Sequence, residues 1–263
     1  CNYADKTFNN CISFDRFIDT CSIWCLAINF LELKNFNLQH GIIHIPMELP
    51  WSSPGFVNVY FIEEKDGYVM IDCGVNGSEY QELLETKMKS FGLSYENIKL
   101  LIGTHMHSDH IGLSSTLREK DIPFALYKNS VEFIEGYNDW SIRFKKLKEY
   151  AKKEGAPKSF LDDIDQIETP IYAGKISKPD VLLEEGNIKN VNRNIEIIFT
   201  PGHDRTEISI LDNPSQILFS GDHILPKITP FIPLEDAGDD MLEKYTSSPV
   251  SYTHLRAHET TLD

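Results

Sequence analysis

Apolar and polar positions along this chain follow two periods, and the periods take turns. Residues 41–47, 56–63 and 67–72 alternate as strands do, the last two joined by the turn Lys65-Asp66-Gly67. Residues 78–91 read as an amphipathic helix, because Tyr80, Leu83, Leu84, Met88 and Phe91 fall on one face. The run 98–103 is short and almost wholly apolar, as in a strand buried on both sides, and it leads straight into Thr104-His105. A helix over 113–120 and a strand over 122–127 follow. From about Ser130 to Ile167 the pattern is helical and charged, with the basic run Arg143, Lys145, Lys146, Lys148, Lys152 and Lys153. A solvated helix face is the plain reading of that run; a helical lid is compatible with the same helices. Strands resume at 181–183, 195–200, 207–211 and 216–220. Two strand-rich halves with interleaved helices predict a layered α/β domain.

The chain of 263 residues suffices for one domain with a substantial core or for two small ones. Its formal charge of −15 argues against a nucleic-acid surface, which needs clustered Lys and Arg. A neutral or cationic small molecule suits this field better than a polyanion, although a metal centre reverses the sign locally. Cys1, Cys11, Cys21 and Cys25 crowd the first 25 residues and only Cys73 lies beyond, which is not how a disulfide framework is spread. The apolar stretch 23–33 is too short to span a bilayer, and Asp5, Asp15 and Asp19 accompany Lys6 and Arg16 where a leader would be basic. A cytoplasmic protein with no membrane partner is expected, and a homodimer is compatible with the sequence.

Both ends differ from the rest. Residues 1–30 show no sustained period and are expected to be upstream sequence, read ahead of a leucine-type start at Leu31; the alternative is a genuine extension. Residues 250–260 read VSYTHLRAHET, like a translated sequencing adaptor, so the tail 250–263 is expected to be foreign and His254 and His258 not to be ligands. The domain is then expected over 31–249, cut short on its C-terminal side.

The run Thr104-His105-Met106-His107-Ser108-Asp109-His110 carries the strongest chemical signal. In extended chain, residues two apart project the same way, so His105 and His107 can grip one metal. Asp109 and His110 follow where the chain turns into a helix and can face a second. Imidazole and carboxylate suit zinc, and also iron or manganese. Two later segments fit the same site. Thr200-Pro201-Gly202-His203 follows a strand with a sharp turn, and Phe219-Ser220-Gly221-Asp222 ends one with an acid whose two oxygens can bridge two metals. A Gly-Asp after a strand is usually only a turn; its place behind the first motif gives it weight.

With these three motifs in this order, the chain resembles the metallo-β-lactamase superfamily, in particular its glyoxalase-II-like branch, over about residues 40–249. The resemblance implies a four-layer αββα sandwich with two divalent ions at one edge of the sheets. It assigns His105, His107 and His203 to the first ion, Asp109 and His110 to the second, and Asp222 to both. Asp72, in Ile71-Asp72-Cys73-Gly74, would support the ligands from behind. The implied activity is dinuclear hydrolysis of a small acyl substrate, a thioester or lactone. The attacking hydroxide would come from a water whose pKa a metal lowers to about 7, with Asp109 orienting it. Cys73 is then a buried small apolar residue and no catalyst. The alternatives are a phosphodiesterase or nuclease of the same fold, an iron-dependent sulfur-dioxygenase-like oxidoreductase, and a non-catalytic metal-binding protein. β-Lactamase activity is disfavoured, because the main two-zinc group carries Cys where Asp222 stands. The sequence departs from the family in two places. The further His usually supplied after the Gly-Asp strand has no counterpart, and Asp204-Arg205-Thr206-Glu207 replaces small residues and a Gly. Trp51, in the loop between the first two strands, either contacts an apolar acyl group or packs on its own sheet. His223 is expected to point away from the metals, and His40 and His44 to be ordinary.

Overall fold

The computed structural model describes residues 40–248 apart from 53, 168–171, 190, 226–227 and 234–239. The expectations for residues 1–30 and for the tail with His254 and His258 fall outside the described residues.

Strands β1 (Ile42–Glu48), β2 (Phe56–Glu64) and β3 (Gly67–Ile71) form an antiparallel meander. Helix α1 (Ser78–Ser90) then crosses over to β4 (Ile98–Ile102), which pairs parallel with β3. Strands β5 (Phe124–Tyr127) and β6 (Val181–Leu183) extend the parallel side, giving a six-stranded sheet in sequential order. The second sheet is antiparallel. It holds β7 (Gly186–Asn187), β8 (Ile195–Phe199), β9 (Ile208–Asp212) and β10 (Ile217–Phe219) in the order β10-β9-β8-β7.

The apolar runs of β3 and β4 are buried on both faces, as their composition requires. Met70 and Leu101 join Leu84 and Met88 of α1 and Leu117 of α3 (Ser114–Arg118) in the core that includes the helices. Their neighbours Val69, Ile71, Leu100 and Ile102 belong to a second core with Ile195, Ile197, Ile208 and Ile210 of the other sheet. Each such side chain contributes about 1.5–3 kcal/mol on full burial. A smaller cluster, Ile198 and Leu211 with Leu218, lies on the other side of the second sheet. The mixed α/β sandwich expected from the sequence is therefore present. Arg193 ties its parts together: it forks onto Asp212 at 2.6 Å through both Nε and Nη2, and Nη2 also donates to the His40 carbonyl.

Between β5 and β6 the chain forms α4 (Ile134–Asn138), α5 (Trp140–Lys153) and α6 (Lys158–Ile164). Asp139 caps α5 by accepting from the Ser141 and Ile142 amides, and Gly155-Ala156-Pro157 separates α5 from α6. Lys145, Lys146, Lys152 and Lys153 are exposed, as a solvated helix face would have them. Among the described residues no helix is long and apolar enough to cross a membrane.

Three elements differ from the sequence reading. Strand β5 begins at Phe124 and not at 122, because Pro123 has no N–H to give the ladder. The two-residue β7 is too short to show a period. Helix α7 (Met241–Ser247) was not expected; its signal is Asp240, whose side chain accepts from the Glu243 amide three residues on.

Candidate metal centre

Two parallel strands, β3 and β4, end side by side, so the residues that follow them emerge together at one edge of the first sheet. After β3 the chain turns at Asp72, whose φ of 58° lies in the left-handed region. After β4 it runs through Thr104 to His107 and into the single turn α2 (Ser108–Ile111). The second sheet reaches the same edge, with the Ile208 amide donating to the Thr104 carbonyl at 2.9 Å. Strand β8 delivers Thr200 to His203 there, and β10 delivers Gly221-Asp222. Gly221 has φ 53°, and a Cβ on it would sit 3.1 Å from both Glu207 and Thr104. The turn that presents Asp222 therefore favours glycine.

Five of the six ligands implied by the sequence come together. His105, His107 and His203 form one group of close donor atoms, and His105, His110 and Asp222 form another. His203 Nε2 and His107 Nδ1 face each other at 2.9 Å. Asp222 touches both groups, with Oδ1 3.2 Å from His110 Nε2 and Oδ2 3.5 Å from His203 Nε2. His105 Nε2 is buried with no hydrogen-bond partner among the described residues. A buried ring nitrogen without a partner, aimed at other imidazole nitrogens and a carboxylate, fits a divalent cation. Asp109 stands slightly apart. Its Oδ2 is 4.0 Å from His110 Nε2, and it lies outside both groups while lining the adjoining cavity.

Three of the rings are held from behind. Asp72 accepts from His110 Nδ1 at 2.7 Å, and its carboxylate is fixed in turn by the Thr104 amide and hydroxyl. That leaves His110 Nε2 facing the site, as orientation by a carboxylate should. His203 Nδ1 donates to the Phe231 carbonyl at 2.7 Å, and Thr104 Oγ1 lies 3.0 Å from His105 Nδ1. Glu207, buried beneath the site, accepts from the Asp222 amide at 2.9 Å. The sequence marks it, with Asp204, only as a departure from the family pattern and gives neither a role; Asp204 Oδ2 lies 3.9 Å from His107 Nε2.

Electrostatics divide the site. Burial, together with His110, His107 and His203, holds His105 well below the ordinary imidazole range. His107 is brought down to about 4, chiefly by desolvation, against the pull of Asp204. For His110 burial acts downward too, but the Asp222 and Asp72 carboxylates outweigh it and raise the group well above its usual value. Burial would raise Asp222; the facing His110 reverses this and lowers it. Glu207 is driven well above the carboxylate range by burial and by Asp222 and Asp204. Burial thus favours the neutral form of His105 and His107, the form that binds metal, while Asp222 stays anionic beside His110.

A cavity of about 290 Å³ adjoins Asp109, His110, His203 and Asp222. Trp51 is not among its lining residues; the ring packs edge-on against Tyr172 at 5.0 Å. His223 is buried 4.7 Å from the Tyr245 ring and is brought down to about 4 by burial and then by His203. His44 stacks on Tyr60 and hydrogen-bonds Asn58. Cys73 is fully buried, and burial pushes its thiol up, away from the reactive thiolate.

Comparison with known proteins gives the family. The chain is 28% identical over 172 residues to the probable metallo-hydrolase YflN of Bacillus subtilis, covering 64% of this chain and 61% of that one. It is 23% identical over 200 residues to the human acyl-coenzyme A thioesterase MBLAC2, covering 71% and 64%. These matches span about three fifths of the relatives' length. Among solved structures, the metallo-beta-lactamase family protein TTHA1429 from Thermus thermophilus superposes with a TM-score of 0.68 at 19% identity, over 82% of this chain and 71% of that one. The model of the metallo-beta-lactamase superfamily matches residues 52–259, and with the fold and the ordered motifs this places the chain in that superfamily.

Proposed function

We propose that this chain is a metal-dependent hydrolase that holds two divalent ions, zinc foremost, and cleaves a small acyl substrate of thioester or lactone type. The observation that carries the acyl reading is the cavity beside the ligand groups. Its walls include Phe56, Tyr60, Leu225, Ile228 and Phe231. Such a wall suits an apolar acyl group, whereas a phosphodiester backbone calls for cationic partners. The likeness to an acyl-coenzyme A thioesterase supports the same choice.

Divalent ions bound here would supply Lewis acidity and a water activated near neutral pH. The chain's own residues supply the positioning. His105 and His107 offer neutral nitrogen donors, His203 turns Nε2 toward His107, and His110 is oriented by Asp72. Asp222 spans the two groups. Asp109, at the start of α2 and facing the cavity, is placed to take a hydrogen bond from the attacking water and set its direction. No serine or cysteine nucleophile enters.

The test is elemental analysis of protein purified without added metal, followed by thioester, lactone, nitrocefin and phosphodiester substrates side by side with an oxygen-uptake control. Two metals per chain and turnover of an acyl substrate are expected. Turnover of the phosphodiester alone, or oxygen consumption, would replace this reading.

A further inference from the structure

We propose that Asp204 is a positioning residue for His107, holding that ring so that Nδ1 rather than Nε2 faces His105 and His203. The inference rests on the reading of these three histidines as a metal site, and it gives a role to a segment that departs from the family pattern.

Asp204 is 3% exposed, and every polar contact it makes is directed. Its Oδ1 accepts from the Thr206 amide at 2.6 Å and the Thr206 hydroxyl at 2.5 Å, a side-chain turn that follows the ligand His203. Its Oδ2 accepts from the Tyr137 hydroxyl and lies 3.9 Å from His107 Nε2. A turn of this kind needs only one acceptor oxygen, which an asparagine supplies without the cost of burying a charge. The second oxygen, held by the Tyr137 hydroxyl and facing the His107 ring, is what the turn does not explain.

Tautomer chemistry explains it. For Nδ1 of His107 to offer a lone pair beside His203 Nε2, the ring proton must sit on Nε2. A carboxylate facing Nε2 favours that tautomer. Asp72 acts on His110 by direct contact, taking Nδ1–H at 2.7 Å and freeing Nε2, whereas Asp204 faces its imidazole nitrogen at 3.9 Å without a direct hydrogen bond. The two rings are thus turned in opposite senses by two carboxylates, one following β3 and one following β8. Tyr137 adds a further link. It belongs to α4, so the helices between β5 and β6 reach the ligand set through one hydroxyl.

Asparagine at this position keeps the turn acceptor but turns an NH₂ group toward Tyr137 and His107. Asp204→Asn is therefore expected to melt with the wild type when metal-free, while its zinc affinity in chelator competition falls by about 10–100-fold. The visible spectrum of its cobalt(II) form should lose intensity as His107 leaves the ion. An Asp204→Asn protein with wild-type zinc affinity and cobalt spectrum would overturn the proposal and leave Asp204 a turn residue only. Should that variant fail to fold, ring ¹⁵N shifts of zinc-loaded wild-type protein decide without it. A protonated Nε2 and a metal-bound Nδ1 on His107 are expected; the reverse tautomer overturns the inference. A wild-type chain that binds no zinc would sink the metal-site reading itself, which separates the two failures.

Discussion

The two halves of the ligand set are built in different ways. His105, His107, Asp109 and His110 lie within six residues, and the end of β4 and the first turn of α2 are enough to aim them. His203 and Asp222 stand nineteen residues apart on the other sheet, and only the apolar seam between the sheets brings them to the first run. Local chain geometry governs one half, and packing at a distance governs the other. A donor in the first half should thus be sensitive to its own chemistry, and a donor in the second to the seam beneath it.

The largest effect that sharpens this contrast comes from His105, the residue common to both groups. His105→Ala should take hydrolysis to background and leave less than one metal per chain. Asp222→Ala, which leaves His105, His107 and His203 in place, should retain one. Elemental analysis of the two variants separates them, and equal metal loss in both would erase the distinction between the groups. A middle effect comes from the seam. Ile210 is fully buried there, and Ile210→Ala should destabilise the fold by about 2–5 kcal/mol. At roughly 2–4 °C per kcal/mol for a domain of this size, thermal melting reads it directly. Metal affinity should fall with it, because His203 and Asp222 are carried on that sheet. Leu117→Ala, in the core on the helix side of the first sheet, should cost similar stability and spare the metal.

The smallest effect is a pH dependence remote from the metal. Arg118 hydrogen-bonds Asp180 and holds its carboxyl below the ordinary aspartate value, burial acting the other way. A carboxyl lowered in the folded state stabilises fully above its unfolded pKa, and the contribution is lost as pH falls through the lowered value. The Asp180 side chain is 38% exposed, so screening limits the effect to about 1 kcal/mol at most. Asp180→Asn should flatten the acid limb of the melting-temperature profile by that amount. An unchanged limb would show that the pair contributes nothing.

What was legible in the sequence follows the same division. Strands whose side chains alternate or are wholly apolar were read within two residues of their ends, because burial of one face or both is written in the residues themselves. The six-residue histidine run was legible for the same reason: period and ligand type coincide. Asp109 was less so. Its neighbour His110 joined a donor group while it did not, since direction within a single helical turn depends on how α2 leans on the Gly74–Ile111 bridge. Asp204 and Glu207 were visible only as an oddity of composition. Their partners Tyr137, His107 and Asp222 lie far off in sequence, so no local pattern could assign them. Trp51 could be left only as a choice of two, because Tyr172, which settles its surroundings, is over a hundred residues away.

The backbone at Asp72 has a consequence for how this protein can evolve. A φ of 58° lies in the left-handed region, where aspartate and asparagine are the non-glycine residues most at ease. The bend of the backbone, the clasp on Thr104 and the orientation of His110 therefore all fall on one side chain. Glycine would keep the bend and release both partners, and a β-branched residue would strain the bend as well. Position 72 thus has few substitutes that preserve all three.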